Sequence, residues 1–219
     1  MEFVAAEARF ARFEELAHTP GIFPVGLFMA RTVQNPFGIE AYRTIAYEVI
    51  EELDAAPNAV LFPCARGNGL YGAWKGFRDA LDWGWVASTP HMMACQPQLA
   101  NSLEVSLERN SSMAIDLLPA ESIARSVCET IAADKALQAI RESRGAAASC
   151  SDTDIIQAVR DLGKEGLNVE AGSAVTVACL PKLIARKELQ PESVVVCVLT
   201  GGGYRWPEQA AWTNSWTKA

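Results

Sequence analysis

The sequence predicts an α/β fold, a three-layer, open, mainly parallel sheet. Short apolar strand-like runs alternate with segments of helical period, strands are covered on both faces in such an arrangement, and two of the runs end in glycine-rich loops. The clearest run, Ser193 to Leu199 (SVVVCVL), is continuously apolar, as a strand buried on both faces has to be.

Taken in order, Glu2 to Leu16 carries apolar residues at helical spacing, and Thr19-Pro20-Gly21 stops it. Phe23 to Met29 is a short β-prone run. Ile39 to Leu53 reads as a helix with Tyr42, Ile45, Ala46, Val49 and Ile50 on one face. Ala59 to Pro63 is a buried strand, followed by the loop Ala65 to Gly69 and a helix to about Trp83. Pro90 to Gln96 reads as a further strand, and Glu121 to Arg141 as largely helical. Ser151 or Asp152 caps a helix running to Lys164. Gly172 to Arg186 is an apolar helix, and the last strand runs into Thr200-Gly201-Gly202-Gly203. Trp212 and Trp216, in the tail, are expected to dock on this domain or on a neighbour.

Composition narrows the function classes. The chain has 219 residues, half of them apolar and 21% charged, with a net charge of −7 and scattered basic residues. Nucleic-acid binding would need a basic patch, so it is not expected. No apolar window is long enough to span a bilayer, and the first residues lack a signal-peptide core, which makes a cytoplasmic protein without membrane contact the default. The six cysteines stand far apart with no CxxC pair, which disfavours metal and disulfide frameworks; Cys179 and Cys197 read as packing thiols. His18 and His91 are isolated in sequence and are not expected to be ligands.

The segment VLFPCARGNGLYGAWKGF places Gly67 and Gly69 between a buried strand and a helix start. Glycine lets a backbone approach a ligand closely, and a helix N-terminus offers unpaired N–H groups to an anion such as phosphate. A tight strand-to-helix turn needs glycine too, so residue types alone leave both readings open. Thr200 follows the last strand at the edge where open α/β sheets bind ligands, and three glycines leave that edge open to a flat molecule. Neither loop has the lysine-hydroxyl sequel of a nucleoside-triphosphate loop, and neither matches GxGxxG in a strand–loop–helix setting.

Four segments together resemble threonine synthase and its relatives among the pyridoxal-phosphate enzymes of fold type II. Asn35-Pro36-Phe37-Gly38-Ile39-Glu40 with Thr44 to Glu48 is similar to the family's "NPxRxEGxKTxAxE" stretch. Pro63 to Phe77 is similar to its cofactor-phosphate loop, Gly166 to Ala174 to its "GIxxEPASA" helix start, and Leu199 to Gly203 to its "LTGHG" loop. The order and spacing agree through nearly all of residues 5 to 208.

The resemblance implies a cofactor, pyridoxal 5′-phosphate, and a large domain like that of the tryptophan synthase β chain. Ala65, Arg66, Gly67, Asn68 and Gly69 would hold the phosphate, Thr200 would face the pyridine nitrogen, and Glu170 would lie near the cofactor, where it and Ser173 can cap a helix. Thr32 and Asn35 would lie at the substrate. Residues 1–34 would correspond to the end of the small domain and residues 35–219 to most of the large one. The segment in which the family's lysine forms the Schiff base has no counterpart among Lys75, Lys135, Lys164, Lys182, Lys187 and Lys218. The resemblance therefore implies a sheet that is incomplete without an N-terminal partner, a separate chain carrying the N-terminal half and that lysine. It leaves three readings: one subunit of a split enzyme, a non-catalytic paralogue acting as scaffold or regulator, or a truncated piece of a longer enzyme.

Departures from the family pattern bear on substrate and loop. Where threonine synthases hold a substrate phosphate, the matching positions are Thr32, Val33 and Gly38, which offer no cation. This points away from O-phosphohomoserine and towards elimination or replacement at the β or γ carbon of another amino acid. In the phosphate loop, Arg66 either adds a charge-assisted contact or fills the pocket. Ala171 replaces the proline of "EPASA", and Gly202 the histidine of "LTGHG".

Overall fold

The fold is seen in a computed structural model that describes residues 9–22, 36–131 and 134–209. The predicted run Phe23–Met29, the expected substrate residues Thr32 and Asn35, and Trp212, Trp216 and Lys218 lie outside those residues. Four strands form one wholly parallel sheet: β1 (Ala59–Pro63), β2 (His91–Pro97), β3 (Ala147–Cys150) and β4 (Val195–Cys197), in the order β3-β2-β1-β4. Along β1, Val60 and Phe62 enter one core and Ala59 and Leu61 the other, as the two-residue period of a strand requires. Met92 with Ala94, and Met93 with Cys95, divide the same way on β2.

Helices α3 (Arg43–Leu53), α4 (Asn68–Asp82) and α6 (Asp134–Glu142) cover the first face, through Ile50, Leu70, Trp74, Phe77, Leu137 and Ile140. Helices α7 (Asp152–Lys164) and α8 (Ala171–Ala185) cover the second, through Ile155, Val159, Val175, Cys179 and Leu183. Two helical layers on a parallel sheet are the predicted three-layer arrangement. Helix α1 (Arg9–Ala17) precedes them, α2 (Pro36–Glu40) leads into α3, and α5 (Ser102–Glu108) lies between β2 and β3.

The chain lays down β1, steps outward to β2 and β3 with helices on one face, then returns by α7 and α8 to place β4 on the other side of β1. The order reverses between β1 and β4, so the crevice that binds ligands in open α/β sheets lies beyond the carboxyl ends of those two strands. Their start is pinned as well: Val194 N–H donates to Asn58 Oδ1 at 2.7 Å, across 136 positions of sequence.

Two segments differ from the sequence reading, and two elements are added to it. Ile39–Leu53 is not one helix but α2 and α3, which turn a corner at Ala41–Tyr42; Gly72 of α4 receives that corner, since a Cβ there would collide with the Tyr42 side chain and the Ile39 carbonyl. Among the described residues of Glu121–Arg141, the α-helix is confined to Asp134 onward, and a single 3₁₀ turn lies at Arg125–Val127. Upstream, Asp152 takes the Ser122 hydroxyl at 2.6 Å and Leu117 N–H donates to the Thr130 carbonyl at 2.9 Å, so tertiary bonds override local helix propensity. Strand β3 and helix α5 carry no strong pattern and are additions. The Ser151 cap is present as a reciprocal box with Asp154. Among the described residues, no helix is long and apolar enough to cross a membrane.

Candidate cofactor site at the carboxyl edge of the sheet

At the end of β1 the chain leaves the sheet through Cys64 and Ala65, and Gly67 takes φ +79°, a left-handed turn that launches α4 at Asn68. Glycine is needed twice over at Gly67, because a Cβ would also run into the Ala136 methyl of α6. Asn68, Gly69 and Leu70 begin α4, and the first amides of a helix point along its axis without intrahelical partners. Gly69 packs on the Phe62 ring, and Ala65 is half-buried.

Arg66 is the charged group of the loop and only 6% exposed. Its Nε stands 3.7 Å from Oε2 of Glu129, while Oε1 of Glu129 accepts the backbone N–H of Thr130 at 3.1 Å and of Ile131 at 3.4 Å. The buried Oδ1 of Asn68 has no hydrogen-bond partner. A half-turn of that amide would aim its N–H donors at the same place. The fit to a phosphate is therefore chemical: a buried cation, a helix N-terminus and an amide with an unsatisfied oxygen lie on consecutive residues of one loop.

At the end of β4 the loop is fastened rather than loose. Val198 N–H still bonds the Leu61 carbonyl at 3.0 Å, after which Thr200 is exposed. Ser173 Oγ, in the first turn of α8, lies 3.4 Å from Thr200 Oγ1 and accepts Gly201 N–H at 2.8 Å. Glu170 N–H donates to the Gly201 carbonyl at 3.0 Å, and Gly202 bridges Val169. Ser173 thus holds the loop instead of capping its own helix.

Glu170 is the residue at the start of α8, yet its side chain makes no capping bond. It is 2% exposed; Oε1 accepts Ser126 Oγ and Oε2 accepts Trp206 Nε1, both at 2.8 Å. The Arg125 guanidinium lies 5.3 Å from the Trp206 ring centroid. Gly201 must be glycine, since a Cβ would overlap that carboxyl. Gln209 closes the arrangement, donating to the Val169 carbonyl at 2.6 Å and accepting Ala171 N–H at 2.8 Å.

Of the predicted site residues, Ala65 to Gly69 and Thr200 lie on loops leaving adjacent strands at the same edge, and Glu170 supports the second loop from within. Glu129, Ser126, Trp206 and Gln209 were not identified from sequence; Glu129 and Ser126 fell in the stretch read as helix. Burial pushes the Cys64 thiol up to about 12 and partial burial the Cys197 thiol up to about 11, so neither is a ready nucleophile. Lys182, on α8, is held by Glu104 at 2.8 Å and by the Ser149 carbonyl at 3.1 Å, Lys75 by Glu40, and Lys164 by Asp161 at 2.6 Å. Among the described residues no group of three or more metal-binding side chains comes together.

Residues 3–201 match the family described as pyridoxal-phosphate dependent enzyme. The threonine synthase of Methanocaldococcus jannaschii is 31% identical over 180 residues, 80% of this chain and 44% of that protein. That of Methanosarcina acetivorans is 32% identical over 171 residues, 76% of this chain and 42% of that protein. The chain thus spans less than half the length of these relatives. Among solved structures, maize serine racemase aligns with a TM-score of 0.69 at 17% identity, over 91% of this chain and 57% of that one. The processed threonine deaminase isoform 2 of Solanum lycopersicum aligns with a TM-score of 0.67 at 19% identity, over 82% and 47%. Both show the same fold.

Proposed function

Since the chain belongs to the family of pyridoxal-phosphate dependent enzymes, we propose that it is the cofactor-holding part of a split enzyme acting on an amino acid by β- or γ-elimination or replacement. A second polypeptide with the N-terminal half supplies the lysine that bonds the cofactor. The observation that carries this reading is the position of the two loops, Arg66–Gly69 and Thr200–Gly203, side by side where the strand order reverses. Arg66, the first amides of α4 and Asn68 would hold the phosphate and Thr200 would face the ring, while Ser173 and Glu170 fix the loop that carries Thr200. When bound, the cofactor supplies the electron sink for charge developing at the substrate's α-carbon. None of the five described lysines sits on either loop, which is why the reading needs a lysine from elsewhere.

The test is co-expression with a lysine-bearing relative of the N-terminal half. The two chains are expected to co-purify and to show a cofactor absorbance band that neither shows alone. A soluble monomer that takes up no cofactor with or without such a partner would refute the proposal.

One observation favours the second reading, a non-catalytic scaffold or regulator: the Arg66 charge is already matched inside the chain by Glu129. Arg66→Glu separates the two. It abolishes cofactor uptake in the enzyme and leaves assembly and output unchanged in a scaffold.

A further inference from the structure

We propose that the Glu129 carboxylate is a resident anion of the Arg66 site, which the phosphate of an incoming phosphomonoester has to displace. The inference rests on the reading of the Arg66–Gly69 loop as a phosphate site and adds a selectivity residue to it. A guanidinium as buried as Arg66 requires a counter-charge at all times, since an uncompensated charge in that position is costly. Glu129 supplies one, and its bonding fits a removable one. The Nε–Oε2 separation of 3.7 Å is longer than a hydrogen bond, so Coulomb attraction holds the pair without a bidentate clasp. The second carboxylate oxygen is turned to the Thr130 and Ile131 amides.

Exposure also differs between the partners. The Arg66 side chain is 6% exposed and that of Glu129 22%, so the anion has a route to water and the cation does not. Gly67, the next residue along, opens α4, which brings helix N-terminal amides to the same loop. A phosphate dianion arriving there meets donors on the Arg66 side and a like charge at Glu129, and like charges sharing one guanidinium repel strongly when partly desolvated. Exchange of Glu129 for phosphate keeps Arg66 paired before and after, and a ligand without phosphate cannot drive it. The same carboxylate keeps the empty loop formed and sets a threshold that only a strongly anionic group crosses.

Binding of pyridoxine 5′-phosphate and of pyridoxine to the full chain tests this by calorimetry. Neither compound has an aldehyde, so neither bonds to surface lysines. Glu129→Gln is expected to tighten pyridoxine 5′-phosphate binding about tenfold or more, and to leave pyridoxine unchanged. Equal or weaker binding by a variant that melts like the parent overturns the inference, and so does an equal gain for pyridoxine. Should Glu129→Gln fail to fold, Glu129→Asp withdraws the carboxylate by one methylene and is expected to tighten binding about threefold, with no change or a loss overturning the inference. If the parent binds, Arg66→Gln abolishes binding and the Glu129 variants change nothing, the resident anion is wrong and the phosphate loop stands. If parent and Glu129 variants alike take up no pyridoxine 5′-phosphate, alone or together with the N-terminal partner chain, the loop reading fails and the inference with it.

Discussion

The hydroxyl of Ser173 accepts the backbone N–H of Gly201 at 2.8 Å, so the first turn of α8 fastens the loop that leaves β4. Ser173 is fully buried, and its removal strands an amide. Ser173→Ala is expected to cost about 1–3 kcal/mol of stability, measured by urea unfolding, and to raise hydrogen exchange at Gly201. Retained exchange protection at Gly201 would show that the loop does not depend on that hydroxyl.

Gly67→Ala is expected to destabilise by about 2–4 kcal/mol, combining a left-handed residue with an overlap against Ala136. Gly166→Ala is the control, because it shares the left-handed turn at φ +82° but meets no atom within 4 Å. The difference between the two, read from chemical denaturation, isolates the packing cost at the phosphate loop.

Glu104 is expected to make the fold acid-sensitive. Burial opposes its ionisation, but hydrogen bonds from Lys182, Ser149 and Asn101 outweigh it and hold the carboxyl below its ordinary value of 4.5. A carboxyl that ionises more readily in the folded chain adds stability above that ordinary value, and the increment drains away as acid protonates the folded form. Glu104→Gln is expected to lower the melting temperature near neutrality and to converge on the parent below about pH 4.5. A gap that stays constant with pH would exclude a charge effect.

Much of the fold was legible because its signals are local. SVVVCVL and AVLFP mark β4 and β1 by unbroken apolar character, and Ser151 with Asp154 marks the start of α7 by capping chemistry. Strand β3 escaped because Ala-Ala-Ser-Cys has little strand preference; its neighbourhood selects small residues, and at Gly145 a Cβ would collide with the backbone of Met92. The two loops were legible through their glycines. The groups that complete them were not: Glu129 meets Arg66, and Trp206 meets Glu170, only after the chain has folded, and no spacing rule announces such pairs.

Strand β4 is expected to make the isolated chain sticky. Val194 carbonyl and Val198 N–H face β1, so alternation turns the N–H groups of Val195 and Cys197 outward, where no described strand pairs with them. Val195→Pro removes one outward donor at the first residue of the strand, where proline is tolerated. Sedimentation velocity across a dilution series is expected to show association of the parent and less of it in the variant. Equal association would move the contact away from this edge.

The bond between Val194 and Asn58 also sets a timetable. During synthesis β1 leaves the ribosome long before β4 exists, and one flank of the central strand waits until almost the whole described chain has emerged. Closing so long a loop is entropically slow, and a nascent chain in that interval carries an open hydrophobic seam. Chaperone dependence during translation is the consequence expected of this topology.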